Sequence, residues 1–171
     1  MSEIKLNTPL SIDQVDFRIQ SINNGGYATI LAYKNARVDM DRLDAVYGVH
    51  GWQRHHSRDN HNCTVSVWDD TKKQWIEKED TGTESNTEKE KGLASDSFKR
   101  ACFNLGIGRE LYDYPLIQIK LTSTECEHRN HRPVPTWDLR LKDWVWFSVI
   151  KDNKLDYLAC KDWHNNLRFE W

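Results

Sequence analysis

No apolar run in these 171 residues approaches the ~20 that a membrane-crossing helix needs. The opening MSEIKLNTPL has neither the basic stretch nor the apolar centre of a secretion signal. A soluble, cytoplasmic chain is the expectation. The cysteines lack paired spacings, since Cys63, Cys102, Cys126 and Cys160 stand far apart, which argues against a disulfide framework and for a reducing compartment. There is no Gly-x-x-x-x-Gly-Lys-Ser/Thr phosphate loop, so chemistry driven by ATP at such a loop is disfavoured. Excess positive charge is missing as well: 24 Lys and Arg face 26 Asp and Glu, a net charge of −2, so any attraction to a polyanion must come from a local basic strip. Internal repeats and low-complexity tracts are also absent.

What is present suffices for a sizeable core, with 38% hydrophobic and 11% aromatic residues, and one compact domain is the expectation. SIDQVDFRIQSI places Ile12, Val15, Ile19 and Ile22 at helical spacing behind Ser11 as N-cap, and reads as a short first helix. YATILAY follows the NNGG turn and reads as a covered strand. VDMDRLDAVYG reads as a helix stopped by Gly48. Cys63, Val65 and Val67 alternate with polar neighbours in a half-buried hairpin that opens with WQRHHSR, and WIEKEDTG adds a third strand before Gly82.

TEKE, from Thr87 to Glu90, has the form of a capping box, so a long helix is expected from Thr87 to the Gly106 or Gly108 stop. Within it lies DSFKRACFNLG. Ala94, Phe98, Ala101, Cys102 and Leu105 fall on one side, as expected of a helix packed on a sheet. Asp96, Lys99, Arg100 and Phe103 fall on the other. LIQIKL, from Leu116 to Leu121, reads as a strand, and Thr122 to Thr136, with Pro133 and Pro135, reads as a loop. WVWFSVI, LDYLAC and LRFEW suggest two or three further strands joined by tight turns. The fold class expected is α+β: an antiparallel three-stranded meander packed on a long helix over residues 1–115, with a β-rich extension over residues 116–171 in the same globular unit.

Three stretches resemble the amino-terminal domain of the single-strand annealing proteins of the Rad-fifty-two superfamily, including phage members of the Sak type. YATILAYKNARV and VYGVHGW are similar to the family's strand, arginine, helix and Gly-x-x-Gly-Trp segment. EDTGTESNTEKEKGLASDSFKRACFNLG is similar to its acidic strand end, glycine turn and long helix with Asp-x-x-Lys-Arg-Ala. The resemblance covers roughly Ile12 to Asp113. It implies a β-β-β-α core that assembles as a ring or helical filament and holds single-stranded DNA in a basic groove, in a bacterial host cell if the chain is phage-encoded. Lys99 and Arg100 then match the helix cations at the DNA backbone, and Arg37 the arginine after the first strand. Val49 stands where eukaryotic members have tyrosine, and Phe103 where they have a further arginine.

The residue chemistry admits that function. Binding without base preference needs cations for phosphates and aromatic surfaces for bases. Lys99, Arg100 and Arg37 supply the first, while Phe103 either stacks on bases or is covered by a neighbouring subunit. Arg54, His55 and Arg58 in the hairpin are further candidates for the groove. The function expected is ATP-independent annealing of complementary strands in recombination or repair by a homo-oligomer, without a catalytic residue, cofactor or metal, and with a host single-strand-binding protein as a possible partner. The alternatives are a passive single-stranded DNA coat and a metal-dependent nuclease. The latter would draw on Asp69, Asp70, Glu77, Glu79 and Asp80 with His55, Asn60 and His61 nearby. Cys126, His128 and His131, with Cys160 and His164, are zinc-ligand types at loose spacing.

Overall fold

A computed structural model describes residues 5–83 and 89–171, with the backbone alone for 89–91. Phe17 and Ile19 turn inward while Asp16, Arg18 and Gln20 face water, so this stretch has a strand's period of two. It forms β1 (Asp16–Ile22), paired antiparallel with β2 (Tyr27–Tyr33). The first helix expected over this segment is therefore corrected. Ile12, Val15, Ile19 and Ile22 fit both periods, and pairing with β2 decides between them, leaving only one 3-10 turn at Ile12–Gln14.

After β2 come α1 (Ala36–Tyr47), β3 (Trp52–Ser57), β4 (Asn62–Asp69), β5 (Gln74–Thr81) and α2 (Lys89–Leu105). Asn35 caps α1, its side-chain oxygen accepting from the Arg37 N–H at 2.9 Å. Strands β3, β4 and β5 form an antiparallel meander in that order. Helix α2 packs on it around buried Leu43, Cys63, Val65, Val67, Phe98, Ala101, Cys102 and Ile107. The meander and long helix expected from the sequence are thus present. The capping box at Thr87 lies outside the described residues.

The remaining strands are β6 (Ile117–Lys120), β7 (Cys126–Arg129), β8 (Arg132–Pro135), β9 (Val145–Lys151), β10 (Lys154–Lys161) and β11 (Leu167–Glu170). They make the sheet β1-β2-β6, the sheet β11-β10-β9 and the hairpin β7-β8. That hairpin corrects the loop expected from Thr122 to Thr136. Asn130 and His131 both adopt positive φ, 50° and 61°, the turn suited to a two-residue hairpin. Pro133 and Pro135 face His128 and Cys126. Counted from the turn, both are non-hydrogen-bonded pairs, where a missing N–H costs no ladder bond.

The chain divides into two compact units. One comprises Met1–Pro9 and Lys34–Arg109, the other Leu10–Tyr33 and Glu110–Trp171. The first contains the meander and both α-helices. The second is built around Ala28, Ile30, Ile117, Ile119, Trp144, Leu155 and Leu158.

Candidate nucleic-acid interface

The seat of α2 fixes which of its side chains remain available. Leu93, Ser97, Phe98, Ala101 and Cys102 are buried. Ser97 Oγ donates to the Asn60 carbonyl at 3.0 Å, tying the helix to the β3-β4 turn. Gly82 lies against the helix backbone: a Cβ there would come within 2.6 Å of the Ser97 nitrogen. Asp96 and Phe103 occupy the middle of the outer face at 100° per residue, with Lys99 and Arg100 on its two flanks.

Those flanking cations have acidic neighbours. Lys99 Nζ lies 4.0 Å from Asp96 Oδ1, and Arg100 Nε lies 3.4 Å from Asp80 Oδ1 at the end of β5. The side chains are 22% and 43% exposed, so these are long ion pairs in contact with water, worth ~0–1 kcal/mol each. Asn104 Nδ2 also reaches the Asp80 carboxylate, at 3.3 Å.

Phe103 is half-buried, and the ammonium of Lys34 sits 4.2 Å from its ring centroid. Lys34, which no motif of the sequence marks, is 1% exposed. It pairs with the carboxylate of Asp39 on α1 and donates to the Lys99 carbonyl at 3.4 Å. The lysine therefore ties α1, α2 and the Phe103 ring together. Burial pushes the Asp39 carboxyl up to about 6 against the pull of Lys34, and burial likewise lowers the Lys34 ammonium. Its one sequence signal is its place directly after the apolar YATILAY.

The other candidates do not share one surface. Arg54 stands opposite Val65 and His56 opposite Cys63, on the sheet face that α2 covers. The Arg54 guanidinium accordingly lies 4.7 Å from the Phe98 ring centroid while the residue as a whole stays exposed. His55 stands opposite Thr64 and so belongs to the other face. Arg58 is exposed in the β3-β4 turn at φ 51°. Arg37 is exposed in the first turn of α1. Arg54 on β3 and Arg100 beside β5 are at opposite edges of the meander. Lys99, Phe103 and Arg100 are the candidates that the fold brings together.

The Gly-x-x-Gly-Trp segment is accounted for by packing. Gly48 ends α1 at φ 72°, its N–H donating to the Asp44 carbonyl at 2.8 Å. A Cβ on Gly51 would strike the Tyr47 carbonyl. Trp52 lies 6.0 Å from Phe98 between ring centroids and donates from Nε1 to Asp44 Oδ1 at 2.6 Å.

Among the described residues, no three His, Cys, Asp or Glu side chains are grouped to hold a metal ion. Of the zinc-ligand candidates, His128 and His131 line one shallow concavity with Asn24 and Asn130, while Cys160 is buried in the core of its unit. The cysteines are free thiols. Burial pushes Cys63 up to about 11 and Cys160 up to about 12, which keeps them protonated. No described helix is long and apolar enough to cross a membrane. Searches against family models, curated proteins and solved structures find no match to this chain.

Proposed function

We propose that the chain binds single-stranded DNA through the outer face of α2 and, as a homo-oligomer, anneals complementary strands without ATP. The observation that carries this reading is the grouping of Lys99, Phe103 and Arg100 on the outer face of α2, with Phe103 in its middle and the two cations on its flanks. The cations are held by weak, hydrated ion pairs, which a phosphate can replace at small cost. Phe103, half-buried against the Lys34 ammonium, lies between them as an aromatic surface for a base. Arg37 on α1 adds an exposed cation. Holding strands by their backbones screens the repulsion between them while leaving base edges open, and a multimer turns weak contacts into avidity. Annealing then proceeds by pairing, with no bond made or broken by the protein.

The test is a titration of labelled oligo-dT at several salt concentrations, with the parent and with Lys99→Ala/Arg100→Ala. Loss of two phosphate contacts lowers affinity and flattens the slope of log affinity against log salt by roughly 0.7 per contact. Lys72→Ala/Lys73→Ala, in the exposed turn before β5, is the charge-matched control expected to do less. A double variant of α2 that binds as the parent does refutes this use of the helix.

A further inference from the structure

The outer face of the β9-β10-β11 sheet carries apolar side chains along the middle of β9, with Glu170 of β11 across from Ala159, and lysines at both ends. Register places Val145, Phe147, Val149 and Lys151 of β9 opposite Lys161, Ala159, Tyr157 and Lys154 of β10, and residues directly opposite share a face. The reverse face, with Trp146, Ile150, Leu158 and Cys160, belongs to the core of this unit. On the outer face Val145 is 53% exposed, Phe147 44% and Val149 50%, an accumulation of solvent-facing apolar side chains that marks an interaction surface. Phe147 and Tyr157 are diagonal neighbours across the β9-β10 pair, beside the small Ala159. Lys161 stands at one end, and Lys151 and Lys154 at the other. The nearby acids are Glu170, which accepts from the Tyr157 hydroxyl at 2.8 Å, Asp156 in the bulge of β10, and Asp152, exposed in the turn between Lys151 and Lys154.

We propose that this face is a second contact surface for single-stranded DNA, with bases on Phe147 and Tyr157 and phosphates at Lys151, Lys154 and Lys161. The proposal rests on the reading of the chain as a single-stranded DNA binder. Aromatic side chains on an open sheet face seat bases without regard to sequence, and lysines beyond them meet the flanking phosphates. Charge selects this occupant over a second copy of the chain. Because both ends of the face carry lysine, a face-to-face pairing of two copies with strands aligned sets lysine against lysine, whereas a polyanion complements both ends at once.

The experiment measures binding of oligo-dT and of an abasic oligonucleotide of the same length to four proteins: the parent, Phe147→Ala, the triple variant Lys151→Gln/Lys154→Gln/Lys161→Gln, and Lys99→Ala/Arg100→Ala. Phe147→Ala is expected to weaken oligo-dT binding ~10-fold while changing abasic binding little, since a stacking partner is lost. The triple variant, whose changes sit at the sheet's ends and preserve its apolar middle, is expected to weaken both. If Phe147→Ala and the triple variant bind oligo-dT as the parent does while the α2 variant is weakened, the sheet surface is refuted and the function stands. A parent that binds no oligo-dT refutes both. Unchanged DNA binding with a lower assembly mass in Phe147→Ala makes the face an interface between copies, and also refutes the proposal.

Discussion

Arg168 holds together the densest set of charges in the second unit. Its guanidinium donates to Glu125 Oε1 and Oε2, both at 2.8 Å, and to Asp162 Oδ2 at 3.2 Å, with the three side chains between 7% and 11% exposed. Burial alone would raise the Glu125 carboxyl, but hydrogen bonds from Arg168 and Thr122 outweigh it and hold the group below 4.5. Asp162 is held below 3.8 in the same way: burial opposes, while Asn166, Arg168 and His164 prevail. Folded values depressed below unfolded ones give stability that is complete above the unfolded pKa and lost as pH falls through the folded one. Thermal melts should therefore fall off as pH drops below about 4.5. Arg168→Met leaves two nearly buried carboxylates without their cation and should cost ~3–5 kcal/mol at pH 7. That cost should shrink on acidification as Glu125 and Asp162 become protonated. A constant difference from pH 7 to pH 3 would show that the arginine acts by packing alone. Gly51→Ala, placing a methyl against the Tyr47 carbonyl, should cost ~1–3 kcal/mol in a denaturant titration, whereas an alanine accepted without loss would mean that the joint between α1 and β3 yields easily.

At the scale of elements, α2 was the most legible part of the chain. Phe98, Ala101 and Cys102 are fully buried as the stripe predicts, and Ala94 and Leu105 are partly covered. Ser97, four residues before Ala101 on the same side, is also buried, but the partners that make a polar residue acceptable there, Gly82 and the Asn60 carbonyl, are distant in sequence. The same limit explains β1, where four apolar residues satisfy two periods and only the β2 partner chooses. It explains β7-β8 too, since prolines on non-hydrogen-bonded positions are indistinguishable in sequence from prolines in a loop. Of the candidate site, the outward trio of Lys99, Arg100 and Phe103 could be read directly. The Lys34 anchor beneath Phe103 and the division of Arg54 and His55 between two sheet faces depend on strand register. Since Lys99 and Arg100 face away from the core, Lys99→Ala/Arg100→Ala should melt within a few degrees of the parent, Ala being the better helix former. A cooperative loss of ~2 kcal/mol or more would place these cations in the structure and not in the site.

The whole chain combines a meander-and-helix unit carrying the α2 trio with a second unit in which the first hairpin joins the carboxy-terminal strands. YATILAY, expected within residues 1–115, thus pairs with β6 at Ile117–Lys120. With a net charge of −2, the molecule as a whole has no excess of positive charge to attract a polyanion, so the proposed function requires many copies whose few local contacts add up along a strand. Light scattering of the purified protein should give a mass several times 20.2 kDa. A monomer at micromolar concentration, with and without DNA, would contradict the ring or filament. The central claim is tested most directly by mixing two complementary labelled oligonucleotides without ATP and following duplex formation in the presence of the parent protein and of Lys99→Ala/Arg100→Ala. The account predicts duplex formation faster than spontaneous pairing with the parent and a large loss of that acceleration with the variant. Binding that slows pairing would make the protein a passive coat, and equal acceleration by the two proteins would contradict the role assigned to α2.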